Sequence, residues 1–209
     1  MEGVVLFGDV VASRRAAGAA TAWLRTLSAD LMSAYRDTER LAPFEFTQGD
    51  EIQGLLAPTA DATFAILRSS LHPDARAMRW VIVRGVVDEG EGPATQRSGP
   101  AFIAARERLA AAAIRGAAVT AAVGDELTDT ILDAVAPVLG ELLADLTTRQ
   151  RQIAWPILVD GLRQSETATR LGVSRATISV ASRRAHLRSI ADLAGVVRLL
   201  VATPLASAR

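Results

Sequence analysis

The strongest constraint on the fold is a change of hydrophobic period along the chain. Over residues 3–123, short apolar runs rich in Val and Ile alternate with longer stretches spaced like helices. From residue 146 onward only the helical spacing recurs. Residues 3–11 form an apolar run that ends at Asp9-Val10-Val11. Residues 16–40 carry Trp23, Leu24, Leu27, Leu31 and Tyr35 at helical intervals, which predicts a long helix. Pro43 opens the next element, and residues 44–48 and 51–57 read as two strands turning at Gly49-Asp50. A helix is expected over 59–71 with Ala62, Phe64, Ile66 and Leu67 buried, and a strand over 78–87. A helix over 100–115 and a short strand over 117–123 follow. The order β-α-β-β-α-β, with an added helix and strand, is the ferredoxin-like plan of the α+β class, an antiparallel sheet with helices on one face. That plan lays the first strand beside the third, so Asp9 and Asp50 are expected to meet at one edge.

Three parts are expected: residues 1–124 as the ferredoxin-like domain, 125–145 as a connecting helix, and 146–209 as an all-helical module. The connecting helix shows Leu127, Ile131, Val135, Val138 and Leu142 on one stripe. The formal net charge is zero, but it is distributed unevenly. Residues 1–145 hold 13 arginines against 20 carboxylates, while residues 146–209 hold 10 arginines against three. A basic module joined to an acidic one is what binding of a phosphate backbone by one end requires. The chain has no cysteine, which excludes disulfides, thiolate zinc sites and thiol nucleophiles and suits a reducing cytoplasm. The N-terminal apolar run is too short for a secretory signal, and no stretch is long enough to cross a bilayer.

Within the basic module, Thr147 and Gln150 form a capping box that starts a helix near residue 148. Pro156 inside that helix is expected to kink or split it. A short helix over 163–171 is followed by Gly172-Val173-Ser174, with glycine supplying the left-handed turn and Ser174 capping a third helix over 175–184. Ala168 is small where the two helices approach, and Leu171, Val173 and Ile178 make the apolar wedge between them. Arg175, Thr177, Ser179, Ser182, Arg183 and Arg184 are expected to face outward and to contact double-stranded DNA. The run TRQRQI, followed by ETATRLGVSRATIS, resembles the helix-turn-helix of the LuxR and sigma-factor type. A last helix over 188–201 places Ile190, Leu193, Ala194, Val197, Leu200 and Val201 on one face, which suits either core or a homodimer surface.

The acidic half carries a second candidate site. Asp9 closes a buried strand and Asp50 sits at a hairpin, and two converging carboxylates are hard ligands for Mg or Mn. Glycines at Gly8 and Gly49 would let phosphates approach the backbone, and Glu51, beside Asp50, is a further candidate nucleotide-site residue that either assists the metal or faces solvent. These segments resemble the class III nucleotidyl cyclases and, more distantly, the GGDEF diguanylate cyclases, which share a palm-like ferredoxin core. The matching pieces are LFGDVV, TQGDEI, RWVIVRGVVDEG and GPAFIAARERL. The resemblance implies Asp9 and Asp50 as metal ligands and Arg106 as a phosphate-contacting arginine. GDxxxSR, GDExQG, GPA and a C-terminal helix-turn-helix together resemble the SatD family over nearly the full chain. Phe46 and Phe102 stand where active cyclases carry a base-reading lysine and an asparagine, and the glycine-to-arginine spacing is one residue shorter. These departures weigh against cyclase turnover and leave metal or nucleotide binding in place.

The function expected from the sequence is therefore a cytoplasmic, homodimeric DNA-binding regulator whose N-terminal domain senses a nucleotide. The alternative is a metal-dependent nucleotidyl cyclase or nucleotidyltransferase regulated by its helix-turn-helix. Arg14, Arg84 and Arg97 read as surface ion-pair residues, and His72 and His186 as isolated surface residues. No Walker, dinucleotide-binding or Ser-His-Asp pattern is present.

Overall fold

The structure is a computed structural model that describes residues 1–11, 17–47 and 50–205. Its N-terminal part is a five-stranded sheet in the order β2-β3-β1-β4-β5. The strands are β1 (Glu2–Val10), β2 (Arg40–Phe46), β3 (Glu51–Leu56), β4 (Met78–Val86) and β5 (Val119–Ala122). They are interleaved with α1 (Ala17–Ala34), α2 (Ala62–Leu71) and α3 (Pro100–Arg115). The helical part that follows consists of α4 (Glu126–Ala144), α5 (Thr148–Leu158), α6 (Gln164–Leu171), α7 (Arg175–Arg184) and α8 (Leu187–Ala202). The chain is α+β, and β1 lies between β3 and β4, antiparallel to both, as the ferredoxin-like plan requires. The sheet is mixed, because β5 joins β4 in parallel through the α3 crossover.

Alternation along β1 explains how the layers form. Val4, Leu6 and Val10 face α1 and α2, where Trp23, Leu24, Leu27, Leu31 and Ile66 complete the core. Val5 and Phe7 face the other way and pack with Ala101, Phe102 and Ala105 of α3. The two helices of the ferredoxin-like plan, α1 and α2, thus share one face as expected, and the added helix α3 lies on the other. An apolar strand buried on both sides needs a cover on each, and α3 supplies the second. Pro43 does not open β2 but lies inside it. β2 is the edge strand of the sheet, where a missing N–H costs no ladder bond.

The main core continues from the sheet through α4 into α5–α8. α4 buries Leu132, Ala136, Leu139 and Leu143 rather than the expected stripe, and Leu127 and Val138 are exposed. Its apolar residues span more than one face, and β5 and α8 decide which face is covered. Gly140 marks the closest approach: a Cβ there would lie 2.8 Å from the backbone nitrogen of Val119 and 3.0 Å from the Ala118 Cβ. Alanine gains about 1 kcal/mol of helix propensity over glycine. Overpacking against a backbone that cannot yield costs about 1–3 kcal/mol. We therefore expect Gly140→Ala to lower the melting temperature despite its better helix propensity, measured by calorimetry.

Three long-range contacts hold the helical part in place. His72, at the end of α2, is not an isolated surface residue. Its ring lies between Trp23 and Trp155, with centroids at 5.0 Å and 5.9 Å. Arg68 makes a two-point ion pair with Asp30 and places its guanidinium 5.1 Å from the Trp155 ring. Arg84 pairs with Glu2 and also donates to the carbonyls of Val201 and Ala202, closing the C-terminal end of α8. Arg97 lies in the loop before α3 and donates to the Asp88 carbonyl, while Arg14 falls outside the described residues.

Candidate functional site

The helix-turn-helix is built from local bonds that its residue types dictate. Thr147 and Gln150 cap α5 reciprocally, as the spacing predicts. The helix then runs unbroken through Pro156 to Leu158. It ends within a turn of the proline, so little ladder is left to break. α6 ends at Gly172, whose φ of 64° lies in the left-handed region open to glycine. The amide of Val173 then donates back to the Ala168 carbonyl at 3.0 Å. Ser174 caps α7, accepting from the Thr177 amide at 3.0 Å. Ala168 and Ile178 are buried at the crossing, with Leu171 and Val173 partly buried beside them.

The outward face of α7 carries Arg175, Thr177, Arg183 and Arg184, all exposed, with Ser179 half-buried at its margin. Ser182, expected on this face, turns inward and is 8 % exposed. It lies one turn after Ile178 on the stripe that packs α7 into the module, where a serine is small enough to fit. The sequence reading missed Ala176 and Val180, which share the outward face. Val180 is 40 % exposed, and its helical phase relative to Ile178 is the signal that would have placed it. Among the described residues, none of Arg175, Arg183 and Arg184 has a carboxylate within ion-pair distance. Arg170 of α6, by contrast, pairs with Asp160 at 2.5 Å. α8 buries Ile190, Ala194, Val197, Leu200 and Val201, so its stripe is core.

At the sheet edge, Asp9 pairs in register with Glu51 on one side and Arg79 on the other. The Val10 amide donates to the Asp50 carbonyl at 2.9 Å, so the first strand and the hairpin do meet. Arg79 Nη1 donates to Asp9 Oδ2 at 3.0 Å. Burial, then the negative charge of Asp50, raises the Asp9 carboxyl above its ordinary value, and Arg79 opposes the shift. A divalent cation held by Asp9 and Asp50 would share the Asp9 carboxylate with the Arg79 guanidinium. Among the described residues, no group of three or more His, Cys, Asp or Glu side chains is arranged to hold a metal.

The other expected contacts divide. Arg106 stands on the Asp9 side of the sheet with its guanidinium 5.5 Å from the Phe7 ring. Glu51 accepts from Gln53 Nε2 at 2.5 Å. Gly8 is corrected. It lies within the central strand, paired on both sides, and a Cβ there would meet Trp80 at 2.8 Å, so its role is close packing rather than phosphate approach. Gly49 falls outside the described residues.

The raised Asp9 value has a sign that can be measured. A carboxyl that holds its proton more tightly in the folded chain contributes stability below its unfolded value. That contribution is lost as pH rises through the folded one. The gain in melting temperature of Asp9→Asn over wild type should therefore grow as pH rises above the ordinary carboxylate range. A flat difference would show that Arg79 cancels the shift.

A capped, glycine-turned pair of helices with an unneutralised cationic second helix defines a regulator-type helix-turn-helix module. Residues 137–205, about a third of the chain, match the family model described as KORA, TrfB plasmid transcriptional repressor. This part of the chain is accordingly similar to a DNA-binding transcriptional regulator. No curated protein and no solved structure matched the chain. Among the described residues, no helix is long and apolar enough to cross a membrane.

Proposed function

We propose that the protein is a DNA-binding transcriptional regulator that sets α7 into the major groove. Arg175, Thr177, Ser179, Arg183 and Arg184 make the polar contacts, and Val180 faces a thymine methyl. The observation that carries this reading is the set of three exposed guanidinium groups on α7 with no carboxylate to neutralise them among the described residues. Cations left unpaired on a helix that is otherwise firmly anchored are available to phosphates and base edges. The match of residues 137–205 to a transcriptional repressor family supports the same reading. A homodimer would place two such helices about 34–36 Å apart, one turn of duplex. The test is affinity for duplex DNA as a function of salt. Log affinity should fall linearly with log salt, with a slope of about −0.9 per neutralised phosphate. A salt-independent affinity would remove α7 from the account.

A second reading concerns the sheet edge, where the N-terminal domain takes a nucleotide, alone or with Mg or Mn. It is supported by the convergence of Asp9 and Asp50 and by Arg106 on the Asp9 side of the sheet. Its enzymatic form is the cyclase or nucleotidyltransferase alternative. Calorimetric titration with ATP and GTP in Mg should show saturable binding that is lost in Asp50→Ala. Absence of binding by the wild type would leave the sheet edge a structural ion-pair network.

A further inference from the structure

A separate cavity of about 280 Å³ lies where the start of β4, the turn between α3 and β5, the C-terminal half of α4 and the start of α5 meet. Met78, Val119 and Leu143 give it apolar walls. The nitrogen groups of its lining side chains are all donors. Trp80 is 1 % exposed, and its indole N–H has no hydrogen-bond partner. The Nε of Arg151 is likewise buried and without a partner. Arg76 completes the set, and neither Arg76 nor Arg151 forms an ion pair among the described residues. Arg79 also lines the cavity, but its guanidinium is engaged by Asp9. No carboxylate lines the cavity among the described residues.

Indole and guanidinium groups donate and cannot accept, so they cannot satisfy one another. A buried donor left unpaired carries its full desolvation cost, larger still when it is charged. An acceptor-rich group brought in from outside relieves both. The C-terminal end of α4 approaches the same place, and its partial charge of roughly −0.5 opposes an anion. Two full positive charges outweigh it. The volume is at the small end of ligand pockets, the scale of a single-ring metabolite.

We propose that this cavity binds a small organic oxyanion, a carboxylate or phosphate monoester. Its oxygens accept from Arg151, Arg76 and the Trp80 indole, and its short apolar body lies against Met78, Val119 and Leu143. Arg151 belongs to the first helix of the helix-turn-helix module and Trp80 to the start of β4 in the sheet, so the bound anion bridges the two parts of the chain.

The experiment is calorimetric titration of the full chain with inorganic phosphate, phenyl phosphate and benzoate, with benzyl alcohol as the neutral control. Saturable one-to-one binding of phenyl phosphate or benzoate is expected, with none of benzyl alcohol. A preference between the two identifies the oxyanion as phosphate or carboxylate. Arg151→Gln should weaken binding at least tenfold, as loss of a charged hydrogen bond predicts. Trp80→Phe, which removes only the donor and part of one ring, should weaken it several-fold. Should Arg151→Gln fail to fold by circular dichroism, Arg76→Gln, at an exposed position, serves in its place. No saturable binding of any of the three anions, or undiminished binding in the folded arginine variant, overturns the proposal.

Discussion

Ile178→Ala is expected to destabilise the chain by about 2–5 kcal/mol and to lower its melting temperature by about 5–15 °C. Ile178 is fully buried at the crossing of α6 and α7, in a part of the core shared with Ala168, Ala185 and Ile190. Truncation removes its transfer energy and leaves a cavity that the capped, glycine-terminated helices around it cannot collapse to fill. Leu199→Ala, at a position 62 % exposed on α8, is the matched control and should stay within about 0.5 kcal/mol of wild type. The difference between the two is read by thermal unfolding followed by circular dichroism. Equal melting temperatures would mean that α7 is held by its caps alone.

The second large effect is on binding. Replacing Arg175 and Arg183 together by alanine should leave the melting temperature near wild type, since both are exposed and unpaired among the described residues. Affinity for duplex DNA should fall by about 2–6 kcal/mol if each arginine reads a guanine edge, and by less if each meets only a phosphate. The two cases separate on salt dependence. Loss of phosphate contacts flattens the salt slope by about one per arginine, whereas loss of base contacts relaxes discrimination between sequences. Fluorescence anisotropy on labelled duplexes at several salt concentrations distinguishes them. Unchanged affinity in the double variant would take the recognition role away from α7.

What the sequence made legible was mostly local. α3 begins and ends, and α7 begins, at the expected residues because proline and glycine bound the first and serine caps the second. The adjacency of β1 and β3 followed from the element order, since few connections satisfy a β-α-β-β-α-β chain. Features set by distant partners were not legible. The broad apolar arc of α4 offered two stripes, and only β5 and α8 selected between them. Ser182 looked polar and outward, yet its helical phase places it beside Ile178 on the packed side. Arg84 reads as a surface cation until the end of α8, more than 100 residues away, is brought against it. His72 depends in the same way on Trp155, and Asp9 on Arg79, 70 residues along the chain. Gly8 looked like a phosphate-approach glycine because motif spacing does not report the tryptophan packed on it.

Contact of α7 with duplex DNA can be tested in one measurement because the chain contains no cysteine. A single Thr177→Cys substitution on the exposed face of α7 allows a hydroxyl-radical-generating iron chelate to be attached at one site. Ile114→Cys, at a position 88 % exposed on α3, carries the same reagent on an unrelated surface. Bound to duplex DNA, the Thr177→Cys conjugate should cut the backbone within a few base pairs of the contacted site, and the Ile114→Cys conjugate should not. Equal cutting by both, or cutting from Ile114→Cys alone, would contradict the account.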